Sequence, residues 1–194
     1  MDITKDTVVR CFVAVEIPAS IQELLKPVQT DLQSHIRKGT SWAKPGNFHL
    51  TLKFLGDVRP EKIDVVSEAI QRVADTHSPF SIEFGGIGAF PNLARPRVIW
   101  VGVKDGASIV SRLAKTVNLE LAHLGFPTDN RFHPHLTLAR LRTAINLEPL
   151  KNILRKYNTI DDAAMSVNEI TLMQSQLHPS GAVYTPLRLC YFSA

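Results

Sequence analysis

His49-Leu50-Thr51-Leu52 recurs 86 positions later in the chain as His135-Leu136-Thr137-Leu138. Side chains alternate between the two faces of a β-strand, so in each copy the histidine and threonine share one face and the leucines share the other. Two such strands side by side would present two imidazoles and two hydroxyls around one anion. The repeat therefore predicts one strand in each half of the chain, with a functional site between them.

Strand-like and helix-like segments alternate around both motifs. The apolar spacing predicts strands at Val8–Ile17, His49–Leu55, Phe80–Phe84, Val98–Val103, Pro134–Leu141, Ser166–Gln174 and Val183–Phe192. It predicts helices at Ala19–His35, from Pro60 through Val73, at Ile109–Leu124 and near Leu147–Tyr157, and a glycine- and proline-rich loop at Gly85–Pro96 as a mobile rim. The order of elements repeats, which indicates an internal duplication.

This repetition predicts an α+β fold with two pseudo-symmetric lobes, each an antiparallel sheet with helices packed outside. The two motif strands would meet in a central cleft. We expect residues 1–194 to form a single two-lobed domain, since no long linker divides the chain and 44% of its residues are hydrophobic.

Composition narrows the class of protein. The net charge of +4 favours an acidic partner such as nucleic acid, although a few lysines on a solvated face would give the same sum. Cys11 and Cys190 lie in apolar runs without metal-ligand spacing, which is typical of buried free thiols in a reducing cytoplasm. The first residues, Met1–Asp6, lack the pattern of a signal peptide, and no apolar stretch is long enough to predict a membrane span.

The two motifs and their surroundings resemble a known family. The stretches Trp42–Gly56 and Phe132–Arg140 resemble the two motifs of the 2H phosphoesterases, and in particular the RNA 2′,3′-cyclic phosphodiesterases, also called 2′-5′ RNA ligases. Arg10–Val15, Arg97–Gly102 and Tyr184–Leu187 are similar to other strands of that family. The resemblance spans nearly the whole chain.

The resemblance implies that the protein opens RNA 2′,3′-cyclic phosphate ends and leaves the phosphate on the 2′ oxygen. It implies His135 as the general base and His49 as the general acid, although the motifs are too alike for the sequence to assign these roles. Thr51 and Thr137 would donate hydrogen bonds to the phosphate oxygens. The scheme needs no cofactor and no metal, and by microscopic reversibility it implies ATP-independent 2′-5′ ligation as the reverse reaction.

The expected partners are RNAs with 2′,3′-cyclic phosphate ends, such as tRNA fragments, and the expected state is a monomer with no obligate protein partner. Two other functions stay open. One is hydrolysis of a cyclic phosphate on a small nucleotide. The other is a non-catalytic module that binds RNA ends, against which the intact His and Thr at all four motif positions argue.

Two further residues are candidates for substrate binding. Arg140 matches an arginine that follows the second motif in the family and helps to hold the terminal nucleotide. Strict alternation places it with Leu136 and Leu138, opposite His135, so it reaches the cleft only if the strand bends or ends there. Phe12 is a candidate for stacking on a base, but an aromatic residue in a central strand is also typical of a core.

The remaining candidates have structural alternatives. His133 and His135 are spaced to chelate a metal, but no carboxylate or cysteine accompanies them at ligand spacing, so we expect His133 to give hydrogen-bond support instead. Trp42 and Trp100 are expected in the core. Arg112 and Lys115 are expected on a solvated helix face.

Overall fold

The computed structural model describes residues 8–36, 39–129, 131–143, 145–179 and 181–193. The predicted domain limits, residues 1 and 194, and the segment Met1–Asp6 lie outside these ranges. Short 3₁₀ segments at Pro60–Lys62 and Glu148–Leu150 lead into two of the helices. The elements follow in the order β1 (Val9–Glu16), α1 (Ala19–His35), β2 (Thr40–Trp42), β3 (His49–Val58), α2 (Ile63–Asp75), β4 (Phe80–Phe90), β5 (Val98–Asp105), α3 (Ala107–Ala122), β6 (His135–Leu141), α4 (Lys151–Lys156), β7 (Ala164–Val167), β8 (Glu169–His178) and β9 (Gly181–Tyr191).

The strands pair antiparallel in the order β7-β4-β5-β6-β3-β1-β8-β9, with β2 paired to β6. This order is symmetric about the contact between β6 and β3, the two motif strands. One residue pair, Leu50 with Leu136, makes that contact, and both leucines occupy the second position of their motifs. The first lobe therefore contains β3, β1, β8 and β9, and the second lobe contains β6, β5, β4 and β7.

The two halves of the chain exchange elements. Strand β4 follows the first motif but pairs with β5 in the second lobe, and β8 follows the second motif but pairs with β1 in the first lobe. The helices also contact the motif strand of the other half. Gln29 of α1 donates a hydrogen bond to the carbonyl oxygen of Leu138 in β6 at 3.1 Å, whereas Asn118 of α3 accepts one from Lys53 in β3. Each motif strand is thus supported by a helix from the other half.

The leucine face of the sheet forms the core. Leu50 and Leu136 have no exposed surface and belong to one apolar cluster with the buried faces of α1 and α3, for example Leu25 and Leu113. The predicted α+β fold with two pseudo-symmetric lobes and helices outside the sheet is confirmed, and the two lobes share one continuous sheet. No helix within the described ranges is long and apolar enough to cross a membrane.

Both motif strands carry a β-bulge at the last leucine of the motif. In β3 the pairing with β1 passes from Ala14–Thr51 to Val13–Lys53, so Leu52 is an extra residue in the ladder. A bulge places two consecutive residues on the same side of a strand. Leu52 and Lys53 are accordingly both buried.

The second bulge falls at the equivalent position of β6. There the pairing with β5 passes from Trp100–Thr137 to Ile99–Ala139, with Leu138 as the extra residue. Beyond each bulge the alternation is reversed, so the fifth residue after each histidine returns to the histidine face. These residues are Phe54 and Arg140, and both are exposed.

Several predicted boundaries were wrong, for reasons of local geometry. Gly56 was expected to end its strand, but β3 continues to Val58 because Gly56 adopts a φ of 70° beside another bulge. Half of the predicted loop Gly85–Pro96 belongs to β4, where a bulge at Gly86, with a φ of 72°, keeps the ladder intact. Strand β2 was not predicted because it is only three residues long, and the predicted strand Ser166–Gln174 covers the end of β7 and part of β8, which are two separate strands.

Gly88 leaves room for the indole ring of Trp100, because a Cβ atom at this position would lie 2.2 Å from the ring. We expect Gly88→Ala to lower the free energy of unfolding by about 1–3 kcal/mol, the usual cost of overpacking. In a Trp100→Leu background the same substitution should cost much less. Denaturant unfolding of the four proteins measures this coupling, and equal costs in both backgrounds would contradict the assigned contact.

Candidate active site

The two motif histidines are held in the same way. The ring of His49 hydrogen-bonds through Nδ1 to the carbonyl oxygen of Asn47 at 3.0 Å, and that of His135 to the carbonyl oxygen of His133 at 2.7 Å. A carbonyl oxygen can only accept, so Nδ1 carries the proton in both rings. The lone pair of each ring therefore lies on Nε2.

Both imidazoles have a lowered pKa. Burial lowers the pKa of His49 to about 4, and the positive charges of Arg140 and His135 act in the same direction against the hydrogen bond to Asn47. Burial also lowers the pKa of His135, assisted by His133 and Arg140. The charged form is disfavoured because the rings are desolvated and cationic groups face them. Near neutral pH both histidines are therefore uncharged in the substrate-free protein.

The two threonines line the same cavity as the histidines, and so does Arg140. Thr51 and Thr137 lie two residues beyond the histidines on the same strand face, before the bulges reverse the alternation. Strict alternation would have put Arg140 on the leucine face, but the bulge at Leu138 turns it into the cleft. The structure thus brings all four motif side chains and Arg140 together.

Phe12 lies beneath this cluster. Its side chain is only 2% exposed, and its ring centroid is 4.7 Å from that of His49 and 5.1 Å from that of Tyr184. A ring buried to this degree offers no free face to a base. Phe12 instead supports the imidazole of His49, and the aromatic surface facing the cavity at this point belongs to Phe54, which is 64% exposed.

A second aromatic group surrounds His135. The ring planes of Phe90 and His135 are at 86° to each other, with their centroids 4.9 Å apart. The ring centroids of Trp100 and His133 are also 4.9 Å apart. Trp100 was predicted to be a core residue, but it is only partly buried and sits beside the motif histidine. The equivalent position in the first lobe is Ala14, so the aromatic surroundings of the two imidazoles differ.

A buried lysine connects the first motif strand to the segment that precedes the second. Lys53 is 7% exposed, and its ammonium group donates hydrogen bonds to Asn118 Oδ1 at 2.5 Å and to the carbonyl oxygen of Pro127 at 2.6 Å. Asn118 in turn donates to the carbonyl oxygen of Asp129 at 3.1 Å. Burial lowers the pKa of Lys53, whereas the carboxylate of Asp129 raises it.

Sequence reasoning missed Lys53 and Phe54 as parts of the site. A usable signal was present, because Phe54 and Arg140 stand at the same distance along the chain from their histidines. Because the two halves are duplicates, a position of Arg140 in the cleft predicts that Phe54 lies in the cleft as well.

A cavity of about 600 Å³ joins these groups. Among its described lining residues, four side chains are lysine or arginine and one is a carboxylate, so the cavity favours an anion. Within the described residues, no three His, Cys, Asp or Glu side chains are grouped closely enough to hold a metal ion. The hydrogen bond from His133 to the ring of His135 uses the backbone carbonyl oxygen, as Asn47 does for His49, so the expected role of the His133 side chain stays a prediction.

Comparison with known proteins assigns the family. The sequence model of the LigT-like phosphoesterases matches twice, at residues 15–100 and 101–184. The chain belongs to the LigT-like phosphoesterase family. Each match contains one of the two motifs, so this phosphoesterase carries the internal duplication that the repeated motif predicted.

Relatives with an established name are RNA 2′,3′-cyclic phosphodiesterases. The protein from Archaeoglobus fulgidus is 41% identical over 180 residues, covering 93% of this chain and 98% of the relative. The protein from Aquifex aeolicus is 35% identical over 186 residues, covering 95% and 97%. The family resemblance inferred from the motifs is confirmed by these matches.

Solved structures share the fold. A protein of Thermus thermophilus superposes with a TM-score of 0.79 at 28% identity, covering 94% of this chain and 97% of that chain. LigT of Escherichia coli in complex with 3′-AMP gives a TM-score of 0.76 at 26% identity, covering 97% and 100%. The second structure holds a nucleotide with a 3′-phosphate.

The lowered pKa values make anion binding dependent on pH. Because an anion between the rings favours their protonated form, binding should take up protons and strengthen as pH falls. We expect the inhibition constant of sulfate, whose charge is constant in this range, to decrease from pH 8 to pH 5, by up to about tenfold per pH unit for each proton taken up. Steady-state inhibition or calorimetry measures this dependence.

The control for this prediction is His49→Asn, which lacks one titrating ring and should show a shallower dependence. If the inhibition constant of sulfate for the protein without substitutions stays the same from pH 8 to pH 5, anion binding does not protonate these rings and the prediction is wrong.

Proposed function

We propose that this protein hydrolyses RNA 2′,3′-cyclic phosphate ends to 2′-phosphate ends, with His49 and His135 as a metal-independent acid-base pair. The observation that carries the proposal is the pair of imidazoles, each fixed through Nδ1 and each accompanied by a threonine, on two strands that meet at the symmetry centre of the sheet. The names of the relatives support cyclic phosphate hydrolysis as the reaction.

The reaction divides into two proton transfers. The neutral imidazole of His135 takes a proton from water at Nε2 as the water oxygen bonds to phosphorus. The bond from phosphorus to O3′ breaks, and the imidazolium of His49 gives its proton to O3′, so the phosphate stays on O2′. No metal has a role in this scheme, because the two rings supply both transfers.

Binding of the anionic substrate favours the protonated form of His49, the proposed general acid. In the substrate-free protein His49 has a pKa of about 4, so it carries little charge near neutral pH. A phosphodiester bound between the rings favours the imidazolium and raises this pKa towards the working range of a general acid.

The threonines and Arg140 act on the phosphate. Charge builds up on the two non-bridging oxygens as water attacks, and the hydroxyls of Thr51 and Thr137 donate hydrogen bonds to them. Arg140 adds a positive charge at the same place. With a 5′-hydroxyl in place of water as the nucleophile, the same two proton transfers form a bond from phosphorus to O5′ and break the bond to O3′, which is the 2′-5′ ligation implied by the family resemblance.

We propose that the protein works as a monomer in the cytoplasm, within a single domain spanning residues 1–194. The free, buried thiols of Cys11 and Cys190 suit a reducing compartment. The pairing of both motif strands within one chain supports a monomer, because the site takes each of its histidines from the same molecule.

Replacing either histidine tests the proposal directly. We expect His49→Ala and His135→Ala each to reduce kcat by about 10²- to 10⁴-fold, the range for a positioned proton-transfer group. His123→Ala, which changes an exposed histidine at the end of α3, is the matched control and should keep its kcat. Rates are measured on an RNA ending in a 2′,3′-cyclic phosphate, with identification of the product phosphate. Near-normal turnover in both motif variants would remove these histidines from the mechanism.

An activated leaving group separates the two roles. A phosphodiester that releases p-nitrophenolate needs no proton on its leaving oxygen, so it should largely restore the rate of His49→Ala and leave His135→Ala impaired. The comparison is the ratio of variant to unchanged kcat on the two substrates. Restoration of His135→Ala instead would exchange the roles of acid and base.

Treatment with a chelator tests whether the reaction depends on a metal ion. Activity on the cyclic phosphate should survive treatment with EDTA followed by dialysis, because protein side chains perform both proton transfers. A loss of activity that zinc or manganese restores would overturn the acid-base scheme in favour of a metal site near His133 and His135.

A further inference from the structure

The cavity does not end at the motif residues. It is also lined by residues of β3 beyond Thr51, by one face of α3 and by the segment that precedes β6. We call this extension the α3 arm. Its lining residues are Lys53, Ser111, Lys115, Asn118, Pro127, Asp129 and Arg131. The mechanism proposed above makes no use of it.

The α3 arm exists because the motif strands separate on this side. In the sheet, β3 and β6 are paired only at Leu50 and Leu136. On the opposite side of that contact β2 pairs with β6 and occupies the space. On the α3 side, hydrogen bonds from Lys53 and Asn118 fasten the segment from Pro127 to Asp129 to β3 and α3, and these residues line the cavity.

Helix α3 presents a polar stripe to this channel. Ser111, Lys115 and Asn118 are spaced by four and three residues and therefore share one face of the helix. The core face of the same helix carries Leu113 and Val117. Arg112 and Lys115 are both exposed, as the sequence predicted, and of the two Lys115 lines the cavity.

The charges of the arm favour an anion. Lys115 and Arg131 are exposed, and Lys53 is a buried cation whose two hydrogen-bond acceptors are neutral. The single carboxylate among the described lining residues is Asp129, whose Oδ1 accepts a hydrogen bond from the backbone N–H of Arg131. The charge of Asp129 acts on Lys53, but the three cations of the arm exceed this one carboxylate, so the arm keeps a net positive charge.

We propose that the α3 arm binds the phosphodiester backbone of the RNA strand that carries the cyclic end, with Lys115 and Arg131 contacting the phosphates that precede the terminal nucleotide. This rests on the proposed function, since it takes the cyclic phosphate to lie at the motif histidines. An RNA strand carries one negative charge per nucleotide, so a strand entering along the arm would meet these cations in sequence. A cyclic mononucleotide has no such phosphates and would leave the arm empty.

The test compares two substrates on matched variants. The KM values of a cyclic mononucleotide and of a short RNA with the same terminal nucleotide are measured for the unchanged protein, Lys115→Ala, Arg131→Ala and the double variant. We expect the ratio of the oligonucleotide KM to the mononucleotide KM to rise by about 2- to 5-fold for each lost charge, the size typical of an exposed ion pair. The control is Arg112→Ala, three residues away on the same helix, which should leave this ratio as it is.

Two further measurements sharpen the assignment. The dependence of the oligonucleotide KM on salt should become shallower in the double variant, since fewer counterions are released from the RNA. Asp129→Asn keeps an acceptor for the backbone of Arg131 but removes the negative charge, so it should lower the oligonucleotide KM. A gain of affinity for one substrate alone is not expected from damage to the fold.

The outcomes distinguish failure of RNA binding by the α3 arm from failure of the proposed hydrolysis. Turnover of both substrates with a KM ratio that is the same in the double variant and in Arg112→Ala would overturn the α3 arm while leaving the proposed function intact. An effect seen only on the 5′-hydroxyl strand in ligation would also overturn it, because the arm would then hold the other strand. Failure to hydrolyse either substrate would contradict the proposed function itself.

Discussion

The contact between Leu50 and Leu136 is the constraint on which the rest of the site depends. It is the single residue pair that joins the two motif strands, and it lies at the centre of a symmetric strand order. Because the flanking residues of each strand point to the other face, this contact places His49, Thr51, His135 and Thr137 on the open side of the sheet. Burial of the two leucines in a common core thus sets the relative positions of two imidazoles that are distant in sequence.

Exchange of elements between the halves makes this contact rigid. Each motif strand rests on a helix from the other half, and each lobe contains a strand from the other half. Neither lobe can move away from the other without breaking sheet hydrogen bonds or exposing a core helix face. A cleft between such lobes is preorganised, which suits a reaction that depends on the placement of two proton-transfer groups.

The duplication is symmetric in backbone and asymmetric in side chains. Both motif strands bulge at the same leucine, but the residue that each bulge turns into the cleft is Phe54 in one lobe and Arg140 in the other. Lys53 has Ala139 as its counterpart, and Ala14 has Trp100. The cleft therefore carries an aromatic side chain at one of these two equivalent positions and a cation at the other. A symmetric scaffold can in this way bind an asymmetric ligand in a single orientation.

The sequence by itself determined the family, the α+β class, the duplication and the four motif side chains, because strand alternation and the leucine pattern place histidine and threonine together without knowledge of partners. Only the tertiary structure decided the positions of Arg140, Phe12 and Lys115. A bulge adds one residue to one strand of a ladder and reverses the alternation of side chains beyond it. The two-residue hydrophobic period of the sequence does not show where a bulge occurs. The burial of Phe12 and the exposure of Lys115 to the cavity depend on what packs against them, which elements from the other half of the chain supply.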